Sequence, residues 1–320
     1  MATAVFIIMT SMQAADVPQT EISNGVVKAR IYLPDAAHGY YRGVRFDWSG
    51  VVPSLTFQGH EFFGKWFDKY DPYTNDAIMG PVEEFRDTQG AEGYAEAKPG
   101  GMFVKIGVGV LRKADDQPYN FGGAYQLVNP GRRVVRTAAD RVDFLHELND
   151  GEGFAYEYNK TLVLPHGKAQ LVIEHALKNT GTKTIDSAVY NHDFYMLDHL
   201  PTGPDVRVKF LFVPKSTDEL KAPARIEANE IHYDHELAAG DDSAHGPLSG
   251  FGNKPIDNDI RVENTKAGIG VRETGDQPIY KMYFWSTRTT VCPEVYIKVH
   301  VEPGRTFKWR TAYEFYTLKG

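Results

Sequence analysis

The chain has 320 residues, 42% of them hydrophobic and 24% charged, a composition that excludes a disordered or fibrous protein. Its 35 Lys and Arg against 42 Asp and Glu leave a net charge of −7, the wrong sign for a nucleic-acid groove or an anionic membrane surface. A single cysteine, Cys292, excludes an intrachain disulfide framework and a cysteine-rich zinc site.

In chain order, the first feature is the apolar run Ala4–Met9, followed by Met12-Gln13-Ala14-Ala15 before Asp16. This reads as a signal peptide over residues 1–15, which implies a periplasmic or secreted protein. The run is short and no Lys or Arg precedes it, so a disordered start or an extra edge strand of a cytoplasmic protein is the other reading. From 20 to 320 there is no linker or composition break, and one domain is expected. No stretch approaches the ~20 apolar residues of a membrane-spanning helix.

Two segments rich in Arg and Glu come next: Arg42-Gly43-Val44-Arg45-Phe46-Asp47 and Gly80-Pro81-Val82-Glu83-Glu84-Phe85-Arg86. Arg42, Arg45, Glu83, Glu84 and Arg86 lie beside aromatic residues, a combination suited to binding sugar hydroxyls through charge-assisted hydrogen bonds. Surface salt bridges between the two segments are the alternative. The stretch around Glu83–Arg86 also reads as a short helix. Gly107-Val108-Gly109 sits in a strand-like run and carries no nucleotide-loop signal. Asn159-Lys160-Thr161 fits a glycosylation sequon, a match common by chance.

Two-residue periodicity dominates from there on. Leu171, Ile173, His175 and Leu177 alternate with Val172, Glu174 and Ala176; Val206, Val208, Phe210 and Phe212 form a second such series. Val295, Ile297, Val299 and Val301 alternate with Tyr296, Lys298, His300 and Glu302, and Glu294 falls in the polar set. Each series puts one set on a packed face and the other on an open face. By the same parity His146 and His175 face packed sides. Turn signals such as Asn149-Asp150-Gly151, Thr180-Gly181 and Pro303-Gly304 separate the runs. Thr217–Ala222 reads as a second short helix, and Ala238–Asn258 as a loop-like insertion. His232, Asp234, His235 and His245 match no closed zinc spacing. Many strands, frequent turns and few helices predict an all-β protein, a large antiparallel β-sandwich or barrel.

Tyr156-Glu157-Tyr158-Asn159-Lys160-Thr161-Leu162-Val163-Leu164 precedes Leu171-Val172-Ile173-Glu174-His175-Ala176-Leu177-Lys178-Asn179-Thr180-Gly181, and then Tyr190-Asn191-His192-Asp193-Phe194-Tyr195. This succession resembles the central region of the galactose mutarotase-like (aldose 1-epimerase) superfamily, whose catalytic histidine lies in an Asn-His-x-Phe/Tyr-Phe/Tyr motif. Val291-Cys292-Pro293-Glu294, the strand after it and Val301-Glu302-Pro303-Gly304 are similar to the hexose-phosphate epimerase branch, where a catalytic carboxylate lies shortly before a Pro-Gly turn. The Asn-Arg-Ile and Asn-Gly-Leu-His-Gly-Gly patterns of galactose mutarotases are not found in the N-terminal half.

The resemblance implies the large sandwich of the galactose mutarotase type and interconversion of sugar anomers, with His192 as acid, Glu294 as base and no cofactor or metal. The partner is then a small sugar or an oligosaccharide end. Anomer exchange needs a base for the C1 hydroxyl and an acid for the ring oxygen, roles that suit carboxylate and imidazole. A non-catalytic carbohydrate-binding protein, or a carbohydrate-active lyase or hydrolase, remains open on the same fold. Without the motif, His192 would read as a core histidine hydrogen-bonded to backbone.

Overall fold

The structure is a computed structural model that describes residues 17–87, 90–216, 220–240 and 243–319; the signal-like segment lies outside them. The first strands, β1 (Gln19–Ser23), β2 (Val27–Tyr32), β3 (Val51–Phe57) and β4 (His60–Glu61), pair in sequence as an antiparallel meander. After β5 (Val82–Phe85), strands β6 (Met102–Lys105), β7 (Gly109–Arg112) and β8 (Gln126–Asn129) form a small three-stranded sheet. Four longer strands follow: β9 (Arg132–Thr137), β10 (Arg141–Asn149), β11 (Ala155–Val163) and β12 (Gln170–Asn179). Then come β13 (Ile185–His192), β14 (Val206–Phe210), β15 (Ala224–Glu227), β16 (Glu230–Tyr233), β17 (Ser243–Leu248) and β18 (Asp259–Asn264). The chain ends with β19 (Ile269–Gly275), β20 (Lys281–Thr287), β21 (Thr290–Val301) and β22 (Thr306–Thr317).

Two of the sheets make the sandwich. The larger runs β15-β16-β14-β18-β19-β22-β12-β11-β10-β9 and the smaller β17-β20-β21-β13-β5. Every strand pair in them is antiparallel, as the alternating patterns require. In β22, Trp309, Thr311, Tyr313 and Phe315 are buried while Lys308, Arg310 and Glu314 face water. A one-residue slip would send that apolar set to solvent, so the alternation fixes the register. The inner faces meet in two clusters. Met282, Phe284 and Val295 pack with Ile173, Val262 and Phe315; Phe85, Val189 and Ile297 pack with Tyr158, Leu177 and Trp309.

Three sequence readings change. Glu83–Arg86 is not helical: Val82–Phe85 forms a buried strand at the edge of the smaller sheet, paired with β13. Its neighbours Val82 and Phe85 are core residues, and burial on both faces favours an extended segment. The loop-like Ala238–Asn258 contains β17, whose Ala244 and Leu248 are buried beside β20. Of the helix expected over Thr217–Ala222, the described residues Leu220–Ala222 are not helical, and the rest lies outside the described residues.

β13 and β21 are the central pair of the smaller sheet's buried end. At their far ends, Asp186, Lys298 and His300 alternate out to water in the ordinary way. Nearer the other end, both faces are covered: Ser187–His192 and Thr290–Ile297 are buried throughout. One cover is the core. The other is formed by the segments from β2 to β8, whose Phe46, Trp48, Met79 and Val82 pack with Phe194 of the loop after β13. Among the described residues no helix is long and apolar enough to cross a membrane.

Candidate active site

The outer face of the smaller sheet carries the site. Cys292, Glu294 and Tyr296 alternate on β21 and so share that face. Opposite them on β20 stand Trp285, Tyr283 and Lys281, in that order. On β13, Tyr190 faces Tyr296, and the same register carries His192 to Glu294. A cleft of about 520 Å³ opens over this face, within the usual range for small-molecule sites. His192, Glu294, Arg45, Arg86, Trp66 and Trp285 are among its lining residues.

His192 and Glu294 face one another in the cleft, with Nε2 3.4 Å from Oε1. Both are buried, at 3% and 5% exposure, so neither is a solvated strand residue. Burial pushes Glu294 up to about 7, although Arg45, Arg86 and the Tyr296 hydroxyl at 3.1 Å all favour its charge. Burial, with help from the cations Arg45 and Arg86, holds His192 well below its ordinary value, so the imidazole is neutral at pH 7. Its other nitrogen, Nδ1, lies 2.8 Å from Cys292 Sγ.

The ring is clamped as well as buried. Phe194 stacks on it at 3.8 Å between centroids and 13° between planes, and Trp285 meets it edge-on at 5.2 Å. Phe194 adopts φ +49°, a conformation costly for a bulky residue. That turn folds the chain back after β13 and lays the Phe194 ring between His192 and Trp66, which stacks on its other side at 5.2 Å. Strain of this kind collects at functional sites.

Of the five charged residues singled out in the sequence, Arg45 and Arg86 line the cleft. Glu84 lies behind them, fully buried. It accepts from Arg45 Nε at 2.9 Å, Lys105 Nζ at 3.1 Å and Tyr190 Oη at 2.6 Å, with Arg86 Nε 3.3 Å away. These cations hold its carboxyl far below the usual range. Glu83, its neighbour on the strand, points the other way. There it pairs with Lys160 and with His175 Nε2 at 2.9 Å, outside the cleft lining. Arg42 is also outside: its guanidinium donates to Ala37 O at 2.7 Å and covers the Tyr73 ring. His146 and His175 are buried, as their strand parity predicts.

The sequence reading missed most of the cleft wall. Lys281, Tyr283 and Trp285 alternate with buried Met282 and Phe284, a signal present in the sequence but not tied to a site. Phe121 carried no such signal. It comes from a loop and lies over both Arg45 and Arg86, at 4.4 and 4.6 Å from its ring centre. Among the described residues no three His, Cys, Asp or Glu side chains are grouped to hold a metal ion. The cleft offers aromatic faces, two fixed guanidinium groups and one carboxyl–imidazole pair able to do proton chemistry.

Solved structures share this architecture over nearly the whole chain. An aldose 1-epimerase candidate from Escherichia coli K12 matches with a TM-score of 0.58 at 12% identity, over 94% of this chain and 100% of that one. The aldose epimerase homologue from C. elegans matches at 0.57 and 14%, over 95% and 100%. This is the galactose mutarotase-like fold. A galactose mutarotase related enzyme from Lactobacillus acidophilus agrees, at 0.53 and 16% identity, over 94% and 100%. No family model matches the sequence, and no curated protein matches it. Identities this low establish the galactose mutarotase-like fold and leave the activity to the site itself.

Proposed function

We propose that the protein is an aldose 1-epimerase-like enzyme acting on a free reducing sugar or the reducing end of an oligosaccharide. The observation that carries this reading is the buried His192–Glu294 pair, 3.4 Å apart, facing a cleft of aromatic rings and arginines on the galactose mutarotase-like fold. The C1 hydroxyl and the ring oxygen are bonded to one carbon, so the groups that serve them must stand close together. His192 and Glu294 do.

Glu294, with a carboxyl that ionises near neutrality, takes the proton from the C1 hydroxyl. The bond from C1 to the ring oxygen breaks, leaving an aldehyde. His192 serves the ring oxygen: its neutral imidazole donates a hydrogen bond to the charge that develops there, and the proton held by Glu294 passes to that oxygen. Rotation about C1–C2 and closure by the reverse steps give the other anomer. No redox change and no group transfer to a second molecule occurs.

Polarimetry or NMR of freshly dissolved α-aldoses tests the reading. The protein is expected to exceed the buffer rate on at least one sugar that it binds. A wild type that binds aldoses but never beats buffer would instead support a carbohydrate-binding protein. For location, the apolar Ala4–Met9 run followed by small residues supports export, with the mature chain beginning near Ala15 or Asp16. N-terminal sequencing of protein from the native cell checks it, and an intact Met1 or Ala2 start would sink it.

A further inference from the structure

The sheet register puts two β21 side chains against one imidazole. Cys292 and Glu294 are two residues apart and project from the same face, and His192 on β13 lies beside both. Each contacts a different ring nitrogen: Glu294 Oε1 is 3.4 Å from Nε2, and Cys292 Sγ is 2.8 Å from Nδ1. A neutral imidazole carries one hydrogen, and the partner of one nitrogen decides whether that hydrogen sits on the other.

The surroundings of the sulfur settle the direction of that contact. Cys292 is fully buried at 0% exposure, and its sulfur already accepts the backbone N–H of Asp193 at 3.0 Å. Burial, with the Asp193 and Glu294 carboxyls nearby, keeps the thiol protonated. Its hydrogen therefore has His192 Nδ1 as its acceptor. Phe194 and Trp285 hold the ring in place, so the imidazole cannot turn away from the contact.

We propose that Cys292 is a positioning residue: its S–H donates to Nδ1 of His192 and fixes the tautomer that carries hydrogen on Nε2, aimed at the cleft. This rests on the epimerase reading, because only there does an Nε2–H donor serve the sugar ring oxygen. A cysteine is suited to the task. It is small enough for the buried strand face and is both donor and acceptor, so it can answer the Asp193 amide and the imidazole together.

The experiment combines ¹⁵N NMR of histidine-labelled protein with anomer-exchange kinetics on wild type, Cys292→Ala and Cys292→Ser. The His192 signals are assigned by their loss in His192→Asn. In wild type, Nε2 is expected to be protonated and Nδ1 bare. Cys292→Ala should shift His192 toward the Nδ1–H form and lower kcat about 10–100-fold, the usual scale for groups that orient a functional histidine, with KM little changed. Cys292→Ser keeps a donor at the position and should restore both the tautomer and most of the rate. A wild type already in the Nδ1–H form, or an alanine variant whose tautomer is unchanged, overturns the proposal. Should the alanine variant not fold, the wild-type and serine spectra still decide it. A tautomer that follows Cys292 in a protein with no activity on any aldose supports the positioning role and refutes the epimerase reading.

Discussion

At the residue scale, the two cleft groups are tuned in different directions by the same burial. A buried carboxyl is pushed toward its neutral form and rises; a buried imidazole is pushed toward its neutral form and falls. Glu294 arrives at about 7, where a general base is most effective at physiological pH. Because the base must be ionised, anomer exchange should grow about tenfold per pH unit below about 7 and level off above it. A rate that is flat through that range would remove Glu294 from the base role. Glu294→Gln and His192→Ala are each expected to slow exchange by ~10²–10⁴-fold while sugar affinity, followed by titration calorimetry, changes far less. Losses of affinity that match the losses of rate would point to binding rather than proton chemistry.

At the scale of single strands, β5 shows how one short element serves two tasks. Glu83 and Glu84 point to opposite sides. Glu83 joins the buried Lys160–His175 cluster, whereas Glu84 fixes Arg45 and Arg86 at the cleft. Removing the Glu84 charge leaves the buried Lys105 without a carboxylate partner and the buried Arg45 with only the half-exposed Asp76. Glu84→Gln should therefore destabilise the fold by about 3–5 kcal/mol, read from denaturant unfolding, and should weaken sugar binding as the guanidiniums lose their anchor. On β20, Trp285→Ala removes one aromatic wall without touching a charge. It should weaken sugar binding about tenfold, the equivalent of ~1.4 kcal/mol, and also lower stability in unfolding, because the half-buried ring packs on Trp66, His192 and Phe194.

These strands also mark what the sequence makes legible. The alternation of β12, β14 and β21 reports one packed face directly, so the sandwich is readable, and the Asn-His-Asp-Phe-Tyr segment and Glu294 point to the pair found in the cleft. The adjacent Glu83 and Glu84 read as equivalent because composition does not say which face of a buried strand is the cleft side. Arg42 and Arg45 are three residues apart in an irregular segment, where no period predicts direction; one reaches the cleft and the other caps Ala37. Phe121 reaches the arginines only through loop geometry, which is set by tertiary contacts such as Asn75 Nδ2 to Phe121 O at 3.2 Å.

At the scale of the whole molecule, several ionisable groups are buried, and they bias its stability in opposite directions with pH. His146 and His192 lie well below their ordinary value, and Glu84 far below the carboxylate range, so each loses its stabilising contribution as pH falls. Behind the site, on the core side of β13, Asp193 and Glu273 form a second kind of pair. Burial raises both, Glu273 to about 7, and the Glu273 carboxyl raises Asp193 further, while Tyr313 donates to Asp193 at 3.0 Å and Tyr195 to Glu273 at 3.1 Å. A carboxyl whose folded value is raised binds a proton that the unfolded chain has released. Its stabilising contribution is thus present below about 4.5 and is lost as pH rises through about 7. Glu273→Gln imitates the protonated form and also relieves Asp193 of its charged neighbour. The difference in Tm between this variant and wild type should therefore grow in the variant's favour as pH is raised from mildly acidic to mildly alkaline. Because the histidine and Glu84 contributions are common to both proteins, they cancel in that difference. A difference that stays constant with pH would show that the pair does not hold a proton in the folded protein.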